Sequence, residues 1–478
     1  MDNEKMIAEV AVYVDEVWPD VEKDMAGLVA IPSRATHDDP QEGAPFGKEV
    51  RKALDYALGV ADKLGYKTST DDGYVGICDI EGEGDMQLAT IAHVDIVPAG
   101  PGWDGDPFKM EIREGWFVGR GVLDDKGPAI LSLYAGAYFL KHGIKPRHNF
   151  RALLGCDEEI GMLDLEHYLA NHKEPDFLFT PDAEYPLCNA EKGVFHGSFK
   201  SAPCNGNVLS LHGAEASNAV PMQAECVIGI DKVLLPPVDD FGGKVTLEKT
   251  ENGTKIVAHG IGGHASKPEG TENAVKILID YLQSLRLAFA THDTQAFSDE
   301  EQNFFDLATV AMADTKGEAA GVATSNDKFG ELTMVCGYTE VLDDRLVLSV
   351  DIRYPDTTTA EELTLKLSEL AEHFGCEFEL EGGSGPFWVS ADDPAVQILL
   401  DTHNEVRGRS DKPIIMGGGT YARRFTRAVS FGAEDLEMEL PSWGGPMHGP
   451  NEVANVELMK MSLKIYILSL LRLQEIDL

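Results

Sequence analysis

Residues 86–95 read MQLATIAHVD, an apolar run of strand length that ends in a histidine and an aspartate. It lacks the polar–apolar alternation of a half-exposed strand, so it reads as a strand buried on both faces, the kind found in parallel sheets. The same texture recurs in NFRALLGCDEE (149–159) and PDFLFTPDAE (175–184), with helical patterns between the runs. That order predicts βαβ units and an α/β fold with a mostly parallel central sheet. In open α/β sheets ligands bind beyond the carboxyl ends of the strands. His93 with Asp95, Asp157 to Glu159, and Asp182 with Glu184 all fall there.

Working outward, the texture changes near Glu191. GKVTLEKTENGTKIVAHG (243–260) predicts a hairpin about Asn252-Gly253, followed by a helix over about 273–287. LTMVCGYTEVLDDRLVLSVDIRYP (332–355) predicts a second antiparallel pair, with a helix over about 360–374. Strands and helices in this order predict a smaller α+β domain. After GGSGPFWVSADDP (382–394) a helix resumes near Ala395, and glycine-rich segments lead into an apolar closing helix. The expected organisation is a first domain over 1–191 and 388–478, with an inserted domain over 192–387.

Composition excludes some partners. The 478 residues carry 40 Lys and Arg against 81 Asp and Glu, a net charge of -41, which opposes binding to nucleic acid or anionic lipid. The start MDNEKMIAEV lacks the basic and apolar regions of a secretory signal, and no run of about 18 apolar residues predicts a membrane span. A cytoplasmic chain is expected, and its 7 scattered cysteines, free of CxxC spacing, read as thiols.

The chemistry-bearing residues are weak signals singly. His93 and Asp95 form an H-x-D pair at a strand end, where a carboxylate can hold the second imidazole nitrogen of a metal ligand. Asp124 and Asp125 precede a helix with Pro128 in its first turn, and helix capping accounts for one of them. Capping does not explain why His93, Asp124, Glu158, Glu159 and Asp182 all come at strand or loop ends on one expected rim. Imidazole and carboxylate donors of this kind suit Zn²⁺ or Mn²⁺. Adjacent Glu158 and Glu159 would repel unless a cation compensates them or one is protonated. A dication resolves that, one glutamate ligating while its neighbour handles protons. His448, in the loop GGPMHGPNE, is a further candidate ligand.

Taken in order, AHVDIVP, GRGVLDDKGP, DEEIG, PDAEYP, GGHAS and MHGPNE strongly resemble the dizinc metallopeptidase family that includes aminoacylase, desuccinylase, glutamate carboxypeptidase and carnosinase. LVAIPS (28–33) and GGGTYAR (417–423) extend the resemblance over almost the whole chain, and the wording GRGVLDDKGP is most similar to the bacterial broad-specificity dipeptidase branch. The resemblance implies a zinc exopeptidase fold. It implies that His93 and Asp182 ligate one divalent metal, Glu159 and His448 a second, and Asp124 both. The interval of 34 residues from Asp124 to Glu158, which the family keeps nearly constant, favours Asp124 over Asp125 as the bridge. Asp95 would orient His93, and Glu158 would act as general base on a bridging water.

For the inserted domain the resemblance implies that His264 donates to the tetrahedral oxyanion. Asn218, Arg353, Gly419 and Thr420 are similar to substrate contacts, Arg353 offering a fork for a peptide carboxylate, although a strand arginine in an ion pair explains it too. Lid closure would bring His264 and Arg353 to the substrate. The expected activity is hydrolysis of dipeptides with a free N-terminus, with deacylation of N-acyl amino acids as the alternative and a noncatalytic binder as a third reading. Two divalent ions are expected, zinc first, with manganese and cobalt open. A small peptide is the expected partner, and the long insertion favours a monomer over a homodimer.

Overall fold

The structure is a computed structural model that describes residues 3–214 and 216–478. The chain divides into two compact units. One comprises Met1–Asn189, Trp388–Ile415 and Gly419–Leu478, and the other Ala190–Phe387 and Met416–Gly418.

The first unit is built on the expected runs. Its strands β1 (Lys67–Asp71), β2 (Val75–Ile80), β3 (Gln87–His93), β4 (Asn149–Gly155), β5 (Phe177–Thr180) and β6 (Ala428–Ser430) are ordered β1-β2-β4-β3-β5-β6 in a nine-stranded sheet. β4, β3, β5 and β6 run parallel, whereas β1 and β2 pair antiparallel with their neighbours. The parallel centre is therefore flanked by an antiparallel edge, where β1 carries only half-buried and exposed residues. The chain leaves β3 for β4 on one side and then crosses to β5 on the other. Such a reversal opens a crevice at the carboxyl ends of these strands.

Helices α1 (Asn3–Val29) and α2 (Lys48–Leu64) precede this sheet, and α3 (Lys126–Lys141) and α4 (Leu163–Asn171) connect its strands. Almost every residue of α3 is buried, as expected of a helix apolar on all sides, and even Lys126 turns its Nζ inward onto the carbonyls of Ile31 (2.6 Å) and Leu28 (3.2 Å). Burial alone pulls its pKa down to about 7.

The second unit is α+β. One antiparallel sheet joins Thr333–Val335, Arg345–Tyr354, Gly193–Lys200 and Glu377–Ser384, and another joins Val208–His212, Gln223–Ile228, Gly253–His259 and Val245–Thr250. The hairpin is present, but Thr250 pairs with Gly253, so the turn is Glu251-Asn252 and the glycine opens the second strand. Gly253 has φ 143°, and a Cβ there would lie 1.9 Å from the Ile228 carbonyl oxygen, so only glycine fits. Helices α5 (Ala274–Ala290), α6 (Asp299–Ala311) and α7 (Ala360–His373) are each capped by the preceding side chain: Asn273, Ser298 and Thr359. Phe195, Phe199, Leu278, Leu282, Phe305 and Ile352 are among the buried residues of its core.

Back in the first unit, Asp393 caps α8 (Pro394–Arg407) and Asn455 caps α9 (Val456–Leu473), which packs on α1, α3 and α8. His403 on α8 is buried and stacked 4.9 Å from the Tyr185 ring, and burial pulls its pKa down to about 4. A histidine held neutral in the folded state contributes full stability above its unfolded pKa and loses it as pH falls towards the folded value. The His403 contribution to the unfolding free energy is therefore expected to drop by about 2 kcal/mol between pH 6.5 and 4, allowing for solvent screening. Denaturant titrations of wild type and His403→Gln at both pH values test this, and equal pH slopes for the two would refute it.

Candidate metal centre and active site

His93 is the last residue of β3, Asp124 lies just before α3, Glu158 and Glu159 follow β4, and Asp182 follows β5. The parallel register places these ends side by side, and the loop before Val453–Asn455 brings His448 to the same rim. Asp124 is the pivot. Its Oδ1 lies 3.1 Å from His93 Nε2 and its Oδ2 lies 2.8 Å from His448 Nε2. Asp182 Oδ2 is 3.8 Å from His93 Nε2, and Glu159 Oε2 is 3.2 Å from His448 Nε2. One carboxylate thus faces two imidazoles, each with its own second carboxylate. His93, Asp124 and Glu159 form a group spaced to hold a metal ion, as do His93, Asp125 and Asp182.

Asp95 sits beneath this cluster. His93 Nδ1 is 3.0 Å from its carbonyl oxygen and 3.3 Å from its Oδ1, while its two carboxylate oxygens accept the main-chain N–H groups of Glu158 (3.3 Å) and Glu159 (3.2 Å). A single buried carboxylate therefore fixes both the imidazole and the glutamate pair. Asp125 behaves differently from the capping expectation. It stands at the N-cap position of α3 without a side-chain cap, and its Oδ2 accepts the main-chain N–H of His93 at 3.0 Å.

The electrostatics are those of crowded acids. Burial and then Asp182 raise the Glu158 pKa well above the carboxylate range, and burial with Asp124 raises Asp182 to about 7. Burial opposes protonation of His448, but Asp124 and Glu159 outweigh it and raise its pKa to about 11. The same contest, settled by Asp124 and Asp95, raises His93. Positive charge is what this cluster wants. Its donors are imidazoles and carboxylates without a thiolate, a set that fits a borderline or hard dication such as Zn²⁺, Mn²⁺ or Co²⁺.

A buried pair missed in the sequence supports the pivot. Glu452 is fully buried, pairs with Arg120 Nη1 at 2.6 Å, and accepts the main-chain N–H groups of Gly121, Leu123 and Asp124 at 2.9–3.2 Å. Arg120 Nη2 donates to the carbonyls of His448 (3.1 Å) and Gly449 (3.2 Å). The loops carrying Asp124 and His448 are thereby tied to one ion pair. Both residues lie inside the motifs GRGVLDDKGP and MHGPNE, which was the only signal available.

The chain matches the model of peptidase family M20/M25/M40 over residues 89–472. It belongs to that family. A Beta-Ala-Xaa dipeptidase of Lactobacillus delbrueckii subsp. lactis is 31% identical over 463 residues, covering 93% of this chain and 94% of the relative. A putative dipeptidase, YtjP, of Bacillus subtilis is 32% identical, covering 82% of this chain and 84% of the relative. Among solved structures, human carnosine dipeptidase 1 shares the fold with a TM-score of 0.63 at 15% identity, covering 98% of this chain and 99% of that one.

The remaining predicted residues are divided between the two units. In the second unit, Ala219 of the strand Ala219–Val220 pairs with His264 of Gly263–His264, and the Asn218 carbonyl accepts the Ala265 N–H at 2.8 Å. Asn218 and His264 are therefore neighbours in one ribbon, and both are exposed. His264 Nδ1 accepts the Ser266 N–H at 3.1 Å, so the neutral ring carries its proton on Nε2. Arg353 is buried, its Nε and Nη2 each 2.8 Å from Asp351 and its Nη1 3.0 Å from the Gly417 carbonyl. The ion-pair explanation of Arg353 thus describes the geometry, in a buried setting and not at the surface.

In the first unit, Thr420 is buried with its Oγ1 2.9 Å from Ser430 Oγ and 3.1 Å from the Ala422 N–H. Gly419 precedes it, with the Arg423 guanidinium 2.5 Å from where a Cβ would stand. No helix among the described residues is long and apolar enough to cross a membrane.

Proposed function

We propose that this peptidase is a metal-dependent dipeptidase that cleaves dipeptides bearing a free N-terminus. The observation that carries the reading is Asp124, with one carboxylate oxygen toward His93 and the other toward His448. His93 and Asp182 would hold one divalent ion, His448 and Glu159 another, and Asp124 both. When bound, the two ions lower the pKa of water and polarise the scissile carbonyl. Zinc is the working assignment, with manganese and cobalt as the alternatives to assay.

The chain's own part is positional and protolytic. Asp95 orients His93 through its Nδ1 side and holds the Glu158–Glu159 main chain, leaving Glu158 as the group that takes the proton from water and returns it to the leaving amine. His264, protonated on Nε2, donates to the oxyanion, and Asn218, Gly419 and Thr420 are assigned to the substrate, whereas the Arg353 fork is taken by Asp351 and the Gly417 carbonyl. The dipeptide preference rests on the similarity to the Beta-Ala-Xaa dipeptidase. The working state is a monomer, which light scattering of the purified chain tests, and the proposed location is the cytoplasm.

The test of function is a matched pair, a free dipeptide and its N-acetyl form, assayed with the metal-loaded chain. Turnover of the free peptide alone supports the reading; preference for the acetylated one moves the assignment to deacylase, and no turnover of either leaves a binder. His264→Ala is expected to lower kcat by about 10²–10³, the cost of losing one oxyanion donor, with a smaller effect on KM. A purely raised KM in that variant would assign His264 to uniform binding instead.

A further inference from the structure

We propose that Asp71, Asp72, His167 and His172 form an additional divalent-cation site in the first unit, distinct from the cluster around Asp124. Asp71 ends β1 and Asp72 begins the turn to β2, while His167 lies on α4 and His172 caps its carboxyl end. Asp71 Oδ2 is 3.4 Å from His172 Nε2 and 3.6 Å from His167 Nε2, and Asp72 Oδ2 is 3.7 Å from His167 Nε2. Asp71, Asp72 and His167 together form a group with ligand atoms spaced to share an ion.

These separations are too long for most hydrogen bonds between such atoms. Those to Asp71, at 3.4 and 3.6 Å, match the edges of a tetrahedron about a metal, since ligand distances of about 2.0–2.2 Å put donors about 3.3–3.6 Å apart, and the third, at 3.7 Å, is slightly longer. Asp71 Oδ2 and His172 Nε2 are moreover buried without a hydrogen-bond partner, an expensive arrangement unless something else satisfies them.

The rings are also held in place. His167 stacks on Tyr74 at 4.0 Å and 8°, and His172 stacks on Tyr168 at 4.6 Å and 18°. Flat stacking fixes each imidazole plane, so that both Nε2 atoms stay directed at Asp71. Asn171 Nδ2 is 3.2 Å from His167 Nε2 and donates to the His167 carbonyl at 3.1 Å, which holds the amide beside the ring. Two imidazoles and two carboxylates suit Zn²⁺, Co²⁺ or Ni²⁺. An ion here staples the β1–β2 turn to α4, the helix that follows the Glu158–Glu159 loop.

The experiment is metal counting by mass spectrometry on the full chain, stripped with chelator, reloaded with Zn²⁺ and freed of excess. Wild type is expected to hold three equivalents, and His167→Gln/His172→Gln two. Asp71→Asn, which leaves both stacked rings in place, is expected to lose the same equivalent. In Asp124→Asn, where the catalytic cluster is broken, an equivalent that disappears on adding the histidine substitutions supports the site whatever the catalytic pair does. A zinc count unchanged by these substitutions in both backgrounds overturns the proposal. A wild-type count of one equivalent, lost with the histidine substitutions, would support this site and count instead against the two-ion reading of Asp124.

Discussion

Glu158→Ala is expected to lower kcat for a free dipeptide by about 10²–10⁴-fold while leaving the metal content and KM near wild type. The geometry separates the two adjacent glutamates. Asp95 holds both main-chain N–H groups, Glu159 Oε2 lies 3.2 Å from His448, and burial with Asp182 leaves Glu158 with a strongly raised pKa. The dications that this cluster calls for would bring that pKa back down, leaving Glu158 ionised and able to take a proton from water. Steady-state kinetics with metal analysis of the same samples makes the check. A variant that keeps more than about a tenth of kcat with its metals bound would remove Glu158 from the chemistry, because general-base catalysis is worth at least that much.

Why this site could be read in the chain at all has a physical explanation. The strands β3, β4 and β5 are buried on both faces, so they appear as apolar runs, and the polar residues that end them stand out. Their parallel register then brings those ends to one rim without further information. Buried pairing between distant residues leaves no such mark. Arg120 and Glu452 are 332 residues apart and use letters typical of a solvated surface, yet both are inside. Arg353 shows the same limit, since nothing in DIRYP distinguishes a fork offered to substrate from one committed to Asp351. The hairpin near Gly253 was visible through its Asn-Gly pair, but its register depended on the approach of the Ile228 carbonyl, a contact set by a third strand.

The Arg120–Glu452 pair carries the largest expected effect on stability. Removing one member of a buried ion pair strands the other charge, and Glu452→Ala is expected to cost about 3–5 kcal/mol. All 5 tryptophans fall in the first unit, at positions 18, 103, 116, 388 and 443, so urea unfolding followed by tryptophan fluorescence reads this unit alone. A cost below about 1 kcal/mol would mean that the pair is no better than a surface salt bridge. The double variant Arg120→Met/Glu452→Leu separates charge from position. With both charges gone, much of the stability is expected to return, since apolar replacements of buried pairs are often neutral. Metal affinity is expected to stay low, because the N–H groups of Gly121, Leu123 and Asp124 have still lost their shared acceptor and the His448 carbonyl its donor. Stability and metal binding recovering together in the double variant would instead show that the pair serves the fold alone. Recovery of stability without metal binding would show that it sets the position of Asp124.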